Sequence, residues 1–178
     1  MLLSACLGDP GPSFDPTGPC VVDGSVPGAY PELEALVPTT FEDRGPDRLD
    51  SGRNCSSENL GTLAGAGIDE VRFAGGVWDF GNDQAAVLVV FDAAGLTATA
   101  IAEFYGTSAR DAERTEILAS AEPTIAGRPG VRLDTKTGER LQTVVVWANA
   151  VRGRVNVVIT HNLPDPKILA AVEAFGER

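Results

Sequence analysis

The stretch QAAVLVVFDA, residues 84–93, places the tightest limit on how this chain folds. From Ala85 to Phe91 every side chain is apolar, with no alternation of polar and apolar positions. A strand of that kind needs cover on both faces, so it belongs in the middle of a sheet. It is also the longest such run, and it falls well short of the roughly 20 residues that cross a bilayer as a helix. No transmembrane helix is expected.

The flanking segments extend this picture. Residues 69–80, DEVRFAGGVWDF, read as extended, with Gly75-Gly76 suggesting a bulge or bend. Gly81-Asn82-Asp83 supplies turn residues, so these two segments form a hairpin. Upstream, PELEALVP (31–38) predicts a short helix with Pro31 at its first position, Leu33, Leu36 and Val37 on one face, and Pro38 as its stop. DRLDSGRNC (47–55) fits either a short strand or a loop. Ser56 or Ser57 caps a helix over SENLGTLAGAG (57–67), which Gly67 ends.

The clearest helix is LTATAIAEFYGTSARDAER (96–114). Thr97 caps it, and Ala98, Ile101, Phe104/Tyr105, Ala109 and Ala112 recur at helical spacing. Strands are expected at 115–125, 130–136, 141–150 and 154–161, the last two joined by a turn at VRGR. Asp165-Pro166 opens a final helix with Ile168, Leu169, Val172 and Phe175 as its apolar stripe. Hairpins separated by helices predict an α+β domain: a central, mostly antiparallel sheet of about five to seven strands with helices packed on it. At 178 residues the chain is long enough for one such domain and short for two. The succession of elements over residues 30–176 resembles the α/β/α sandwich of PsbP-like extracytoplasmic proteins.

Charge narrows the partners. With 25 acidic against 14 basic residues the net charge is −11, which repels phosphate backbones, so no nucleic acid is expected. Anionic lipid headgroups repel it too, leaving hydrophobic or covalent attachment as routes to a membrane. The three cysteines, Cys6, Cys20 and Cys55, lack metal-site spacing, and the only histidine, His161, lies far from all of them; neither metal nor cofactor is expected.

Leu3-Ser4-Ala5-Cys6 resembles the lipobox of bacterial lipoproteins: a branched aliphatic residue, two small residues, then cysteine. The resemblance implies cleavage before Cys6 and a diacylglycerol on its thiol. Residues 1–5 then read as the remnant of a signal peptide, with its basic and apolar regions expected upstream of Met1. Residues 6–19 read as the anchor cysteine and a flexible tether, since seven of the thirteen residues from Leu7 to Pro19 are Gly or Pro. Residues 20–178 form the globular domain. Outside the cytoplasm a Cys20–Cys55 disulfide is chemically permitted, and it is expected here.

Catalytic signatures do not assemble. His161 has no G-x-S-x-G partner, and it reads most simply as a hydrogen-bonded histidine at a strand end. Asp79-Phe80-Gly81 matches a kinase tripeptide without the rest of that machinery, and GTLAGAG (61–67) lacks the Lys-Ser/Thr of a phosphate loop. Asp79, Asn82 and Asp83 carry oxygens that suit calcium, but a hairpin turn explains them equally. Trp78 and Trp147 sit in strands, as core residues or as a binding surface. The resulting expectation is a non-enzymatic lipoprotein of the cell envelope, membrane-attached through Cys6, displaying a binding or accessory domain to a protein or small-molecule ligand. The alternative is an extracytoplasmic hydrolase with a site around His161.

Overall fold

The computed structural model describes residues 14–176. In chain order it runs β1 (Gly24–Val26), α1 (Pro31–Glu34), β2 (Arg48–Asn54), α2 (Ser57–Leu60), α3 (Thr62–Gly65), β3 (Val71–Gly81), β4 (Gln84–Asp92) and α4 (Ala98–Asp111). Then follow β5 (Thr115–Ala121), β6 (Thr124–Ile125), β7 (Arg128–Pro129), β8 (Val131–Thr137), β9 (Arg140–Ala148), β10 (Arg154–His161) and α5 (Asp165–Glu173). Eight strands make one antiparallel sheet in the order β1-β2-β3-β4-β10-β9-β8-β5, and β6 and β7 form a separate hairpin.

This corrects the α+β expectation. The protein is β-rich, with an eight-stranded sheet in place of five to seven strands. Only α4 (14 residues) and α5 (9 residues) exceed a single turn. Two causes are local. DRLDSGRNC became β2 and recruited β1 as a further strand. The helix expected over 57–67 broke at Gly61, whose φ of +50° stops α2 after one turn. Ser56 does cap α2, accepting from the Asn59 N–H.

The double-sided burial of β4 is as its sequence demands. It pairs with β3 on one side and β10 on the other. Ala86, Leu88 and Val90 face one core, with Trp78, Trp147, Val145 and Val158, closed by α1 and α5. Val87, Val89 and Phe91 face the other, with Val144, Val146, Val155 and Val157, closed by α2, α3 and α4. Along α5, Ile168, Val172 and Phe175 are buried as expected, whereas Leu169 points outward.

Gly75-Gly76 does not bend β3, which stays in register there; the irregularity falls at Asp79/Gly81. Gly76 is instead a seat for Trp78, because a Cβ at that position would come within 2.8 Å of the indole ring. At the far edge, β5 carries a register shift around Leu118, which leaves that side chain exposed and twists the open edge away from easy pairing.

The N-terminal segment is part of the domain earlier than its composition suggests. The tether was expected to run to Pro19, yet Phe14–Pro19 lies against β2. Arg53 of β2 is buried, and its guanidinium donates to the carbonyls of Asp15 (2.8 Å), Gly18 (2.7 Å) and Pro19 (2.9 Å). It also sits 5.7 Å from the Phe14 ring. A single side chain thus reaches three carbonyls that no strand satisfies.

Cys20 and Cys55 form the expected disulfide, with Cα atoms 6.0 Å apart. Beside it, Asp23 accepts from the Cys55 N–H (2.5 Å), the Ser56 N–H (2.9 Å), the Ser56 hydroxyl and the Asn59 amide (2.7 Å). Burial works to raise this carboxyl, but the four hydrogen bonds outweigh it and hold the pKa at about 2.

Two outcomes follow from this corner. Intact mass should rise by about two protons on reduction, and loss of the bridge should cost on the order of 4 kcal/mol in the chain-entropy account. Asp23→Asn should lower stability at neutral pH. Because the folded pKa lies below the unfolded value, that contribution is present above about pH 4 and fades as pH falls towards 2. Denaturation midpoints of the two proteins should therefore converge in acid.

Candidate functional site

Strand alternation puts a polar row on a face that is otherwise apolar. Val87, Ile159, Val144 and Leu133 pack in the core beneath α4. Two residues further along each strand, on the same face, come Ala85, His161, Gln142 and Thr135. These are direct cross-strand neighbours: Ala85 opposes His161, His161 opposes Gln142, and Gln142 opposes Thr135. Asp79 extends the row on β3, opposite Ala85.

Recesses open at both ends of this row. Around His161 a hollow of about 330 Å³ is bounded by Asp79, the Asn82–Asp83 turn, Gln84 and Arg140. On the other side of Gln142 lies a narrower cleft of about 190 Å³ between α4 and strands β8 and β9. The helix sequence creates this cleft. Ile101 fills the first part of the interface and is 1% exposed, but beyond Tyr105 the wall is made by Ser108 and Ala109 of the helix and by Ala112 just past its end. The short side chains leave a gap over Leu133, Val144, Thr135 and Gln142.

Several polar groups here lack protein partners. The His161 Nδ1 is buried and makes no hydrogen bond among the described residues. Burial, and secondarily the positive charge of Arg140, lower its pKa below the ordinary histidine value, so the ring is neutral at pH 7. The expectation of a hydrogen-bonded strand-end histidine is corrected on this nitrogen. Burial alone raises the Tyr105 phenol, which keeps its proton.

A serine- or cysteine-type nucleophile is not among the residues lining the His161 hollow. None of its lining residues carries a hydroxyl or thiol, and no carboxylate hydrogen-bonds the imidazole among the described residues. Asp79, Asn82 and Asp83 serve the hairpin. Asn82 and Asp83 take the left-handed φ values of +51° and +60° that a two-residue turn uses, and Asp79 Oδ1 accepts from the Gly81 N–H. No group of three metal-ligating side chains occurs among the described residues.

Trp78 and Trp147 are both buried in the core. Trp78 is fully buried, donating to the Arg44 carbonyl at 3.0 Å and meeting Phe41 edge-on. Trp147 is 3% exposed and packs edge-on against Phe175. Arg128 covers its outer face while donating to the Val172 and Gly176 carbonyls, which closes the end of α5. Cys6 lies outside the described residues. Sequence reasoning singled out His161 but missed Gln142, Thr135 and Tyr105. The signal was there in the period of two: Gln142 and His161 stand where the alternating valines of β9 and β10 call for another apolar residue.

Compared with known protein families and with characterised proteins, the chain matches none.

As the only imidazole in the chain, His161 is readable by NMR without assignment. Its titration midpoint should lie below about 6.5, the unperturbed value. The unfolded chain then takes up the proton first, so stability should decline as pH drops below about 6.5. His161→Gln should remove that component of the decline. A midpoint at or above 6.5 would contradict the buried, neutral ring.

Proposed function

We propose that this chain is a lipid-anchored, non-enzymatic binding module of the bacterial cell envelope. The observation carrying the anchor is the tetrad Leu3-Ser4-Ala5-Cys6, four positions that suit lipoprotein processing. The Cys20–Cys55 bridge supports the same location, since structural disulfides persist outside the reducing cytoplasm. With a net charge of −11, the domain has no electrostatic means of holding an anionic membrane, so a covalent lipid supplies the attachment.

The docking of Phe14 limits the reach of such an anchor. Seven residues lie between Cys6 and Phe14, and the eight steps from one to the other span at most about 28 Å fully extended. The domain is therefore held close to the lipid surface by its β1–β2 edge. The α4 cleft lies over β8 and β9, near the opposite edge of the sheet. That geometry turns the cleft away from the point of attachment.

Binding rather than catalysis is supported by the polar row. It offers hydrogen-bonding groups and a cavity, and no hydroxyl or thiol lines the hollow around the imidazole.

Expressed from its gene in a bacterial host with lipoprotein processing, the protein should take up labelled fatty acid and enter the detergent phase on Triton X-114 partition. Cys6→Ser should abolish both while leaving the Cys20–Cys55 bridge intact. Wild-type protein recovered unlabelled in the aqueous phase would overturn the anchor.

A further inference from the structure

The cleft beneath α4 is notable for what lines it. The chain carries 39 formal charges of either sign as Lys, Arg, Asp and Glu, 14 basic and 25 acidic, yet none of these four residue types borders this cavity. Its floor is apolar, made by Leu133 and Val144, and the wall on the α4 side is made by Ser108, Ala109 and Ala112. Four polar groups lie among them: the Tyr105 phenol, the Ser108 and Thr135 hydroxyls and the Gln142 amide. None makes a side-chain hydrogen bond among the described residues, although Thr135 is only 3% exposed. At the rim, by contrast, the Thr115 and Thr137 hydroxyls are satisfied by each other at 2.7 Å.

We propose that this cleft binds a small, uncharged ring compound, with its apolar face on Leu133 and Val144 and its polar edge hydrogen-bonded to Tyr105 and Gln142. The inference rests on the reading of the domain as a binding module and names the ligand class for it. Each part of that class follows from the lining. An ion would give up its hydration with no counter-charge to replace it. A purely apolar molecule would leave the phenol and the amide without partners in a confined space, which costs affinity. Size sets the remaining limit: a cavity of about 150 Å³ holds benzene, so about 190 Å³ suits one ring or a compact fused pair. Tyr105 stays an O–H group because burial raises its pKa, so it can donate as well as accept.

Indole serves as the probe, having an apolar body and one N–H donor, with indole-3-acetate as its charged counterpart. Titration of the folded, disulfide-bonded domain should give saturable amide shifts in ¹H–¹⁵N spectra at Tyr105, Ala109, Thr135, Gln142 and Val144. Indole-3-acetate should bind at least tenfold more weakly. Ala109→Phe fills the cleft and should abolish the shifts. Tyr105→Phe removes a single oxygen and should weaken binding about fivefold, the effect of one hydrogen bond; it carries the test if Ala109→Phe does not fold. Non-saturable shifts, shifts centred on another part of the domain, equal binding of the acid, or affinity unchanged by Tyr105→Phe would each overturn the proposal. The measurement is made without the lipid, so its result is independent of whether Cys6 is acylated.

Discussion

The pairing of β4 with β10 is the interaction on which the rest of the molecule depends. Ala86, Leu88 and Val90 oppose Thr160, Val158 and Asn156 on one face, while Val87 and Val89 oppose Ile159 and Val157 on the other. Neither face can be left to solvent at about 25 cal/mol per Å² of apolar surface. The chain therefore has to cover the sheet twice, and its helices are distributed accordingly. The covers differ in kind. On the Trp78 side large aromatic rings fill the space, Phe41 meeting Trp78 and Phe175 meeting Trp147 edge to face. On the other side the cover is mainly one helix, α4, and its side chains shrink along its length. The cleft is the consequence of that taper.

A second cluster of constraints holds the opposite edge. Arg53, the disulfide and Asp23 all act within one corner, where β1, the end of β2 and the start of α2 converge. Each uses a different bond type for the same job, which is to fix a Gly- and Pro-rich segment that has no regular structure to satisfy its backbone. β1 has three residues and pairs on one side only, so it could not hold this segment by ladder bonds alone. The ion pairs of Asp92 with Arg72 and Arg154, at 2.8 and 2.9 Å, link three neighbouring strands in the middle of the sheet. They are partly exposed and contribute less than their geometry suggests.

Legibility in the sequence followed the length of the local signal. QAAVLVVFDA, the Thr97-capped helix and the β9–β10 hairpin were readable because periodicity and turn chemistry agree over many residues. The Cys20–Cys55 bridge was readable from cysteine count and context. What failed was short or depended on distant partners. DRLDSGRNC has too few apolar residues to declare a strand, and it becomes one by pairing with β3. Phe14–Pro19 has the composition of a tether, yet Arg53, more than 30 residues away, gives it three hydrogen bonds. Trp78 and Trp147 could not be sorted into core or surface, since the face of a strand is decided by what packs on it.

The polar row shows why the site was harder to see than the fold. A single His or Gln in a valine-rich strand carries no motif, and only strand register makes neighbours of residues as far apart as Thr135 and His161. Yet the row is costly. Leaving a buried polar atom such as His161 Nδ1 without a partner costs about 1–3 kcal/mol, whereas valine or leucine in its place would extend the core. The penalty is avoided over the inner part of the same face, where every position is apolar and α4 packs closely. It is concentrated at one end, where the helix turns to alanine and the sheet turns polar together. Each change alone would read as imperfect packing. Coinciding over the same few strands, they leave a cavity with the means to hold something in it.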